Sequence, residues 1–263
     1  MTDLDQFIDF IRYSPLIETL QGEALERKEL EQRLEISRAT SHRYTNALGE
    51  SGLIEKSDGA FTLTELGEMI TETVVEFKQE TRTALILAPA LEALPPTAPA
   101  IDIAAFTDAT VTTAGPGNPY RGVNRFMSLV DETSTLRGLD PTSINPQHID
   151  ELHAQICDGM ETQVVFPPAI AEKLLVSNPE RAQTIFESGN LTFWIHDDLP
   201  FGLTLCDDRI GIGIYDDETG MLKTYVDTDA AAAYDWAESL YEFYRSDADP
   251  LDWDDKESET LSL

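Results

Sequence analysis

The sequence predicts an α/β protein in two parts, a helical N-terminal part that ends in a β-hairpin and a mixed-sheet α/β domain. Three observations lead to this fold class. Residues 1–66 have the order helix, turn, helix and hairpin. A proline cluster follows at 89–99. Beyond residue 100, segments typical of strands alternate with segments typical of helices, which is the pattern of an α/β layer fold.

The N-terminal part is expected to contain three helices. Apolar residues three and four positions apart predict a first helix, which Pro15 is expected to interrupt. A second helix is expected over residues 27–34. Ser37 is a suitable N-cap for a third helix over residues 38–50, because its hydroxyl can accept a hydrogen bond from a free backbone N–H.

A hairpin and a long helix complete this part. Asp58-Gly59 lies between two short extended segments and predicts a β-turn. Thr64 can cap a helix over 65–88, which the prolines then end. The expected organisation is a winged helix-turn-helix at 1–66, a connecting and dimerising helix at 65–88, a Pro-rich linker at 89–99, an effector domain at 100–246 and an acidic tail at 247–263.

The second half is predicted from the alternation of apolar patterns. The expected strands are 101–106, 135–139, 162–166, 190–195, 202–206, 209–215 and 222–226. The expected helices are 118–132, 146–158, 168–176, 179–188 and 230–245. The late run of strands predicts hairpins, and therefore a sheet with both parallel and antiparallel pairs.

The charge is strongly negative, with 49 acidic and 18 basic residues and a formal net charge of −31. Concentrated salt screens such self-repulsion, so the composition predicts a cytoplasmic protein of a salt-accumulating halophile. Two cysteines give no disulfide framework, and no apolar run reaches the length of a membrane span. We expect no metal, no cofactor and no membrane partner.

The segment from Glu29 to Gly67 has the order of a winged helix-turn-helix, whose second helix can enter the major groove of DNA. Residues 37–56 carry three basic and two acidic residues in an otherwise acidic chain. Hydroxyls and arginines suit contacts to phosphate and guanine. The candidate DNA-binding residues are Ser37, Arg38, Thr40, Ser41, His42, Arg43 and Lys56. The alternative is a helical module that docks another protein.

The segment 114–125 is the candidate ligand site. Its glycines allow close backbone approach, and a helix beginning near Pro119 offers free N–H groups to an anion. Arg121 and Arg125 are one helical turn apart and could clamp a phosphate or carboxylate. The candidate residues are Asn118, Tyr120, Arg121 and Arg125, for an anionic small molecule. The alternative is a mobile loop whose arginines pair with nearby acids.

Three stretches, 37–43, 52–55 and 61–67, resemble archaeal winged-helix repressors of the MarR, ArsR and IclR type. In the second half, the stretches 136–141, 199–203 and 236–241 resemble the effector domain of regulators related to the methanogenesis regulator FilR. The resemblance implies a ligand-sensing transcription factor and adds Arg137 to the candidate ligand residues. Some such domains, as in TrmB-type regulators, have a phospholipase D-like fold.

Catalysis by a phospholipase D-like fold needs a lysine two residues after a histidine. The residues at that position are Tyr44, Asp150, Gln155 and Asp198. The sequence therefore predicts no enzyme of this type. The expected function is a sequence-specific DNA-binding regulator, modulated by a small molecule or partner at the second domain, and a homodimer on a palindromic operator in double-stranded DNA. The apolar stripe of the 65–88 helix is expected to form the dimer; the alternative is that it packs on the first helix or on the second domain. The alternatives are an enzyme with an appended winged helix and a protein-docking module without a role on DNA.

Overall fold

The computed structural model describes residues 3–142, 146–216 and 218–251, so residues 252–263 of the expected acidic tail lie outside the described residues. The chain divides into two compact units, residues 1–82 and 83–263. The first unit is mainly helical with a small sheet, and the second is built on a large mixed sheet. The fold class predicted from the sequence is confirmed.

The first unit contains a helix-turn-helix followed by a hairpin. Its elements are α1 Asp3–Thr19, β1 Leu25–Glu26, α2 Arg27–Arg33, α3 Arg38–Glu50, β2 Ile54–Ser57, β3 Ala60–Leu63 and the first part of α4 Glu65–Glu92. The strands form an antiparallel sheet in the order β1-β3-β2. Apolar side chains from α1 to α3 and from the three strands form the buried core, and Ile70 of α4 packs against it.

Two prolines lie inside helices, where the sequence predicted a break. Pro15 lies within α1, and Pro89 lies within α4, which ends at Glu92 rather than at residue 88. A proline inside a helix costs about 3 kcal/mol through one lost hydrogen bond and a steric clash. Leu16 and Ile17 next to Pro15 are fully buried, and Leu87 is fully buried near Pro89. Burial of each such side chain contributes about 1.5–3 kcal/mol, which offsets the cost.

Gly67 lies where α4 passes the backbone of the segment before β2. A Cβ atom at this position would be 1.9 Å from the carbonyl oxygen of Leu53. We expect Gly67→Ala to lower the free energy of unfolding by about 1–3 kcal/mol, because backbone would have to move. Gly49→Ala is the control, since a Cβ there meets nothing within 4 Å. In the helix α3 it should stabilise by about 0.5–1 kcal/mol. Denaturant unfolding of both variants in concentrated KCl measures the difference.

The second unit alternates strands and helices. Its elements after the end of α4 are a 3-10 helix Ile103–Phe106, β4 Thr110–Thr113, α5 Arg121–Val130, β5 Thr135–Leu139, α6 Pro146–Cys157, β6 Glu161–Phe166, α7 Pro168–Ser177, α8 Pro179–Glu187, β7 Leu191–Ile195, β8 Gly202–Leu205, β9 Ile210–Tyr215, β10 Leu222–Thr228, α9 Ala231–Ser246 and β11 Asp249–Pro250.

The strands form one eight-stranded sheet in the order β11-β7-β6-β5-β8-β9-β10-β4. The pairs β5-β6 and β6-β7 are parallel, and the others are antiparallel. One face packs on α9, the 3-10 helix and the end of α4. The other face packs on α5, α6, α7 and α8. The sheet is therefore the middle layer of three.

The segment 101–106 is a correction to the sequence prediction, because it forms a 3-10 helix and not a strand. Asp102 accepts a hydrogen bond from the N–H of Ala104, and Phe106 is buried against Trp236. The strand on this edge is β4, a few residues later, and the following helix begins at Arg121 rather than at 118. The other strands and helices between 135 and 246 lie within two residues of their predicted bounds.

Candidate nucleic-acid interface

The helix α3 has one buried and one exposed side. Ser41, Thr45 and Leu48 face the core of the first unit. Arg38, His42, Arg43 and Asn46 are exposed on the other side. In a helix-turn-helix, the exposed side of the second helix is the one that can reach base edges in the major groove. Of the candidate residues, Arg38, His42 and Arg43 therefore share one surface.

The N-terminus of α3 is capped as predicted. The hydroxyl oxygen of Ser37 accepts a hydrogen bond from the N–H of Thr40 at 3.2 Å, and the two hydroxyls lie 2.9 Å apart. The side chain of Ser37 is exposed, so it can still meet a phosphate. The prediction that Ser41 contacts DNA is wrong, because its side chain is fully buried. Its position in the helix turns it to the core, and it is not available to DNA.

The hairpin and the start of α2 each supply one further cationic side chain beside α3. Lys56 on β2 and Arg27 at the start of α2 both lie over the ring of Phe61, with the charged atoms 5.3 and 5.2 Å from the ring centre. These residues and Asn46 line a shallow groove between α3 and the hairpin. One guanidinium nitrogen of Arg27 is buried without a hydrogen-bond partner among the described residues.

Arg27 and Asn46 were missed in the sequence analysis. Asn46 follows His42 and Arg43 by four and three residues, so the helical period alone could have placed it on the exposed side of α3. Asparagine can pair with adenine through two hydrogen bonds, which suits this position. No local pattern places Arg27 here, because its position depends on the pairing of β1 with β3.

The Arg43 side chain lies over an aromatic pair. Its guanidinium carbon lies 5.3 Å from the ring centre of Tyr44. The Tyr44 ring in turn packs against Tyr13 of α1, with 4.5 Å between the ring centres. Tyr44 is half-buried and belongs to the edge of the core. The contact restricts the side chain of Arg43 while its end stays exposed.

Arg125 in the second unit does not form the predicted anion clamp with Arg121. Its guanidinium makes two hydrogen bonds to the carboxylate of Asp227, at 2.9 and 2.6 Å. Arg209 donates to the same carboxylate at 3.0 Å and to Asp229 at 2.9 Å. Asp227 is fully buried, and these bonds raise the pKa of Arg125. Arg125 is therefore part of an internal ion network, whereas Arg121 is exposed.

Arg137 also has protein partners. On β5, its side chain points to the face of the sheet that carries α9, where it pairs with Glu238 at 2.9 Å and donates to the hydroxyl of Tyr234 at 3.3 Å. Asn118 accepts a hydrogen bond from the N–H of Tyr120 at 3.2 Å. Of the five candidate ligand residues, Tyr120 and Arg137 line a large cavity of the second unit. Because of its partners on α9, Arg137 reaches that cavity only through its backbone.

The cavity itself was missed in the sequence analysis. It lies between the sheet and helices α5 to α8, and its polar groups include Asp140 and Tyr215. These two residues are 75 positions apart, so no motif connects them. Within the described residues, no group of three or more metal-ligating side chains occurs, and no helix is long and apolar enough to cross a membrane.

The fold and the exposed side of α3 define the class of the chain as a helix-turn-helix protein with a wing, joined to an α/β unit. Residues 119–247 match the model of the middle domain of the methanogenesis regulatory protein FilR1, and residues 1–85 match that of the HVO_A0261 N-terminal domain. The second half of the chain is therefore similar to FilR-type transcription regulators, and the resemblance stated for it is confirmed. No curated protein matches the sequence significantly.

Solved structures show weak overall similarity. The archaeal chromatin protein TrmBL2 has a TM-score of 0.43 and 12% identity, over 92% of this chain and 94% of that one. Nuc from Salmonella typhimurium, a phospholipase D family member, has a TM-score of 0.40 and 13% identity, over 54% and 97% of the two chains. An IclR family regulator from Brucella abortus has a TM-score of 0.25 and 11% identity, over 93% and 92%. At these scores the similarities assign no function.

Proposed function

We propose that the chain is a sequence-specific DNA-binding regulator, without enzymatic activity, whose α3 enters the major groove. The observation that carries the proposal is the charge on the exposed side of α3. Arg38 and Arg43 project from it, in a chain with a net charge of −31. Arginines placed on this side of α3 do not offset the repulsion among acidic residues elsewhere in the chain. Their positive charge at this position suits the binding of a polyanion.

The contacts divide by chemistry. Arg38, Arg43 and Asn46 have the side chains that read guanine and adenine in the major groove. Ser37 and Thr40 at the helix N-terminus suit phosphate, because free N–H groups and the helix dipole favour an anion there. Lys56 on the hairpin suits a neighbouring phosphate. His42 lies between the two arginine positions in the sequence and suits a contact either to a base or to a phosphate.

A dimer is proposed from exposed apolar side chains of the first unit. Leu66, Met69 and Phe77 lie along one side of α4, and all three are exposed. Phe77 contacts the exposed ring of Phe7 on α1, with 6.3 Å between ring centres. Val74 and Thr71 on the other side of α4 are buried. Pairing of this apolar surface with its copy would give a two-fold dimer, two copies of α3 about 34 Å apart and a palindromic site.

We expect Phe77→Asp to convert the dimer to a monomer, because it places a charge in the centre of the proposed contact. Light scattering in molar KCl gives the mass of each form. Glu76→Gln, next to it on α4, changes one charge without touching an apolar side chain and should leave the dimer intact. A wild-type monomer at micromolar concentration contradicts the proposed dimer.

The net charge gives a prediction for salt dependence. An ordinary basic protein loses affinity for DNA steeply as salt rises, because it releases fewer counterions favourably. An acidic surface must instead hold or take up cations near the phosphates. We expect the affinity to fall only shallowly, or to rise, between moderate and molar KCl. Exchanging Glu50 and Glu55 beside the groove for glutamine should make the slope more negative.

Modulation through the second unit completes the proposal. A ligand can change DNA affinity only if it binds the DNA-competent and DNA-incompetent states differently. The test of DNA recognition itself is selection of fragments from sheared genomic DNA by the purified protein in molar KCl. The proposal predicts enrichment of a short, two-fold symmetric sequence. Recovery of fragments without a shared sequence contradicts it.

A further inference from the structure

The second unit contains a partly open cavity of about 540 Å³ between the sheet and helices α5 to α8. This volume lies in the range of sites for small molecules. Most of the wall is apolar and much of it aromatic, with Phe126, Phe166 and Phe193 from three different elements. The opposite face of the same sheet is filled by α9 and carries a continuous core. The space is therefore a property of one face of the sheet.

Glycines on neighbouring strands lie against two tyrosines that line the cavity. A Cβ at Gly202 would lie 2.7 Å from the hydroxyl oxygen of Tyr215, and a Cβ at Gly211 would lie 2.0 Å from that of Tyr225. The two tyrosine side chains thus lie directly against the backbone of these glycines, and a residue with a Cβ atom at either position would collide with them. The Tyr225 hydroxyl is buried and has no hydrogen-bond partner of normal geometry among the described residues, although Thr204 is its neighbour.

One acidic residue, Asp140, lies close to these tyrosines and glycines in the cavity wall. Strand alternation places Asp140 just beyond β5 on the side of Leu136 and Gly138, which face the cavity. The N–H of Thr142 donates to its carboxylate at 3.2 Å and the hydroxyl of Tyr215 at 3.5 Å. The side chain keeps some accessible surface, but the surrounding protein desolvates it and raises the pKa of Asp140 to about 7.

The two arginines near the cavity form ion pairs with residues other than Asp140. Arg137 points to α9 and pairs with Glu238. Arg181 of α8 pairs with Asp150, and its carbonyl oxygen lies 3.3 Å from Nε2 of His153 on α6. In the described part of the chain, Asp140 has no ion pair within 4 Å. A carboxylate in such surroundings is costly unless a cation joins it.

We propose that this cavity binds a lipophilic organic amine, whose ammonium group pairs with Asp140 and whose apolar part lies among the phenylalanines. The tyrosine rings that line the cavity can add cation–π attraction. The acidic surface of the chain raises the local concentration of cations. An anionic effector, as the sequence suggested, would meet the carboxylate without a free arginine. The role of the amine as an effector rests on the proposed function, whereas its binding does not.

Three compounds with one carbon skeleton test the head group: 4-phenylbutylamine, 4-phenylbutanol and 4-phenylbutyrate. Titration calorimetry at pH 8 in molar KCl should give an affinity for the amine at least tenfold above that for the alcohol, and the weakest binding for the carboxylate. Asp140→Asn should lower amine affinity at least tenfold and change alcohol affinity less than twofold. Asp208→Asn, an exposed acid between β8 and β9, should change neither.

The pH dependence gives a second readout. Between pH 8 and pH 6 Asp140 takes up a proton while the amine stays charged, so amine affinity should fall and alcohol affinity should not. Tyr215, which also faces Asp140, stays neutral over this range because burial raises its pKa well above the usual value. His153 and Arg181 line the same cavity. The Asp140→Asn variant therefore serves as the control: if the pH dependence comes from Asp140, this variant must lose it.

The outcomes separate this inference from the proposed function. Equal affinity for the three compounds, or amine binding that Asp140→Asn leaves unchanged, overturns the amine site even where DNA binding is intact. The affinity for a selected DNA fragment is measured in parallel with saturating amine. A change of at least threefold supports the effector role, and an unchanged affinity with the amine bound overturns that role. Absence of any DNA selectivity contradicts the proposed function and does not touch the amine site.

Discussion

Replacing Arg43 by alanine is expected to weaken binding to the selected DNA site by about 1–3 kcal/mol, and Arg38→Ala by a similar amount. A bidentate contact from arginine to guanine has this value. Both side chains are exposed on α3, and Tyr44 supports the Arg43 side chain without occupying its nitrogens. Fluorescence anisotropy with a labelled fragment in molar KCl measures the change.

The control for this prediction is Arg245→Ala, which removes the same charge from α9 of the second unit. It pairs with Glu242 on its own helix and should leave DNA affinity within about twofold, since long-range attraction is screened in concentrated salt. A second comparison uses DNA with an altered site. Arg43→Ala should reduce discrimination between the two sequences as well as affinity. Unchanged affinity in both folded α3 variants contradicts the assignment of α3 as the recognition helix.

The second large effect concerns the stability of the second unit. Asp227→Asn is expected to lower its free energy of unfolding by about 3–5 kcal/mol. Asp227 is fully buried and accepts hydrogen bonds from both Arg125 and Arg209. Removing one charge from a buried network leaves the others without compensation, and that is costly. Urea unfolding at a fixed KCl concentration, followed by circular dichroism, measures the loss.

Asp229→Asn is the matched control. Asp229 also pairs with Arg209, at 2.9 Å, but its side chain is 71% exposed. An exposed ion pair contributes less than about 1 kcal/mol, so this variant should be close to wild type. Equal losses for the two variants would show that burial of the carboxylate does not matter, contrary to the role given to the network.

The predictions from sequence succeeded where the signals are local. The N-cap at Ser37, the turn at Asp58-Gly59 and the extent of α3 each depend on a few neighbouring residues, and the structure has all three. Ser41 was misplaced because a hydroxyl was taken as a DNA contact without regard to the helical period. The same period, applied strictly, turns Ser41 to the core and Asn46 to the exposed side.

The cavity of the second unit and the ion network beside it could not be predicted, because their contacts are distant in sequence. Arg125 and Asp227 are separated by 102 positions, and Asp140 and Tyr215 by 75. The spacing of Arg121 and Arg125 on a helix is real, but it does not show that a buried carboxylate already occupies one of them. The alternation Gly211-Ile212-Gly213 was a usable signal, since it leaves one face of a central strand without side chains.

The central claim is that α3 selects DNA sites in the cell. Mapping of bound sites across the genome of the native organism, for the wild type and for Arg38→Ala with Arg43→Ala, tests it most directly. We expect discrete two-fold symmetric sites near promoters for the wild type and their loss in the double variant at equal protein level. Absence of discrete sites, or the same sites in both proteins, would contradict it.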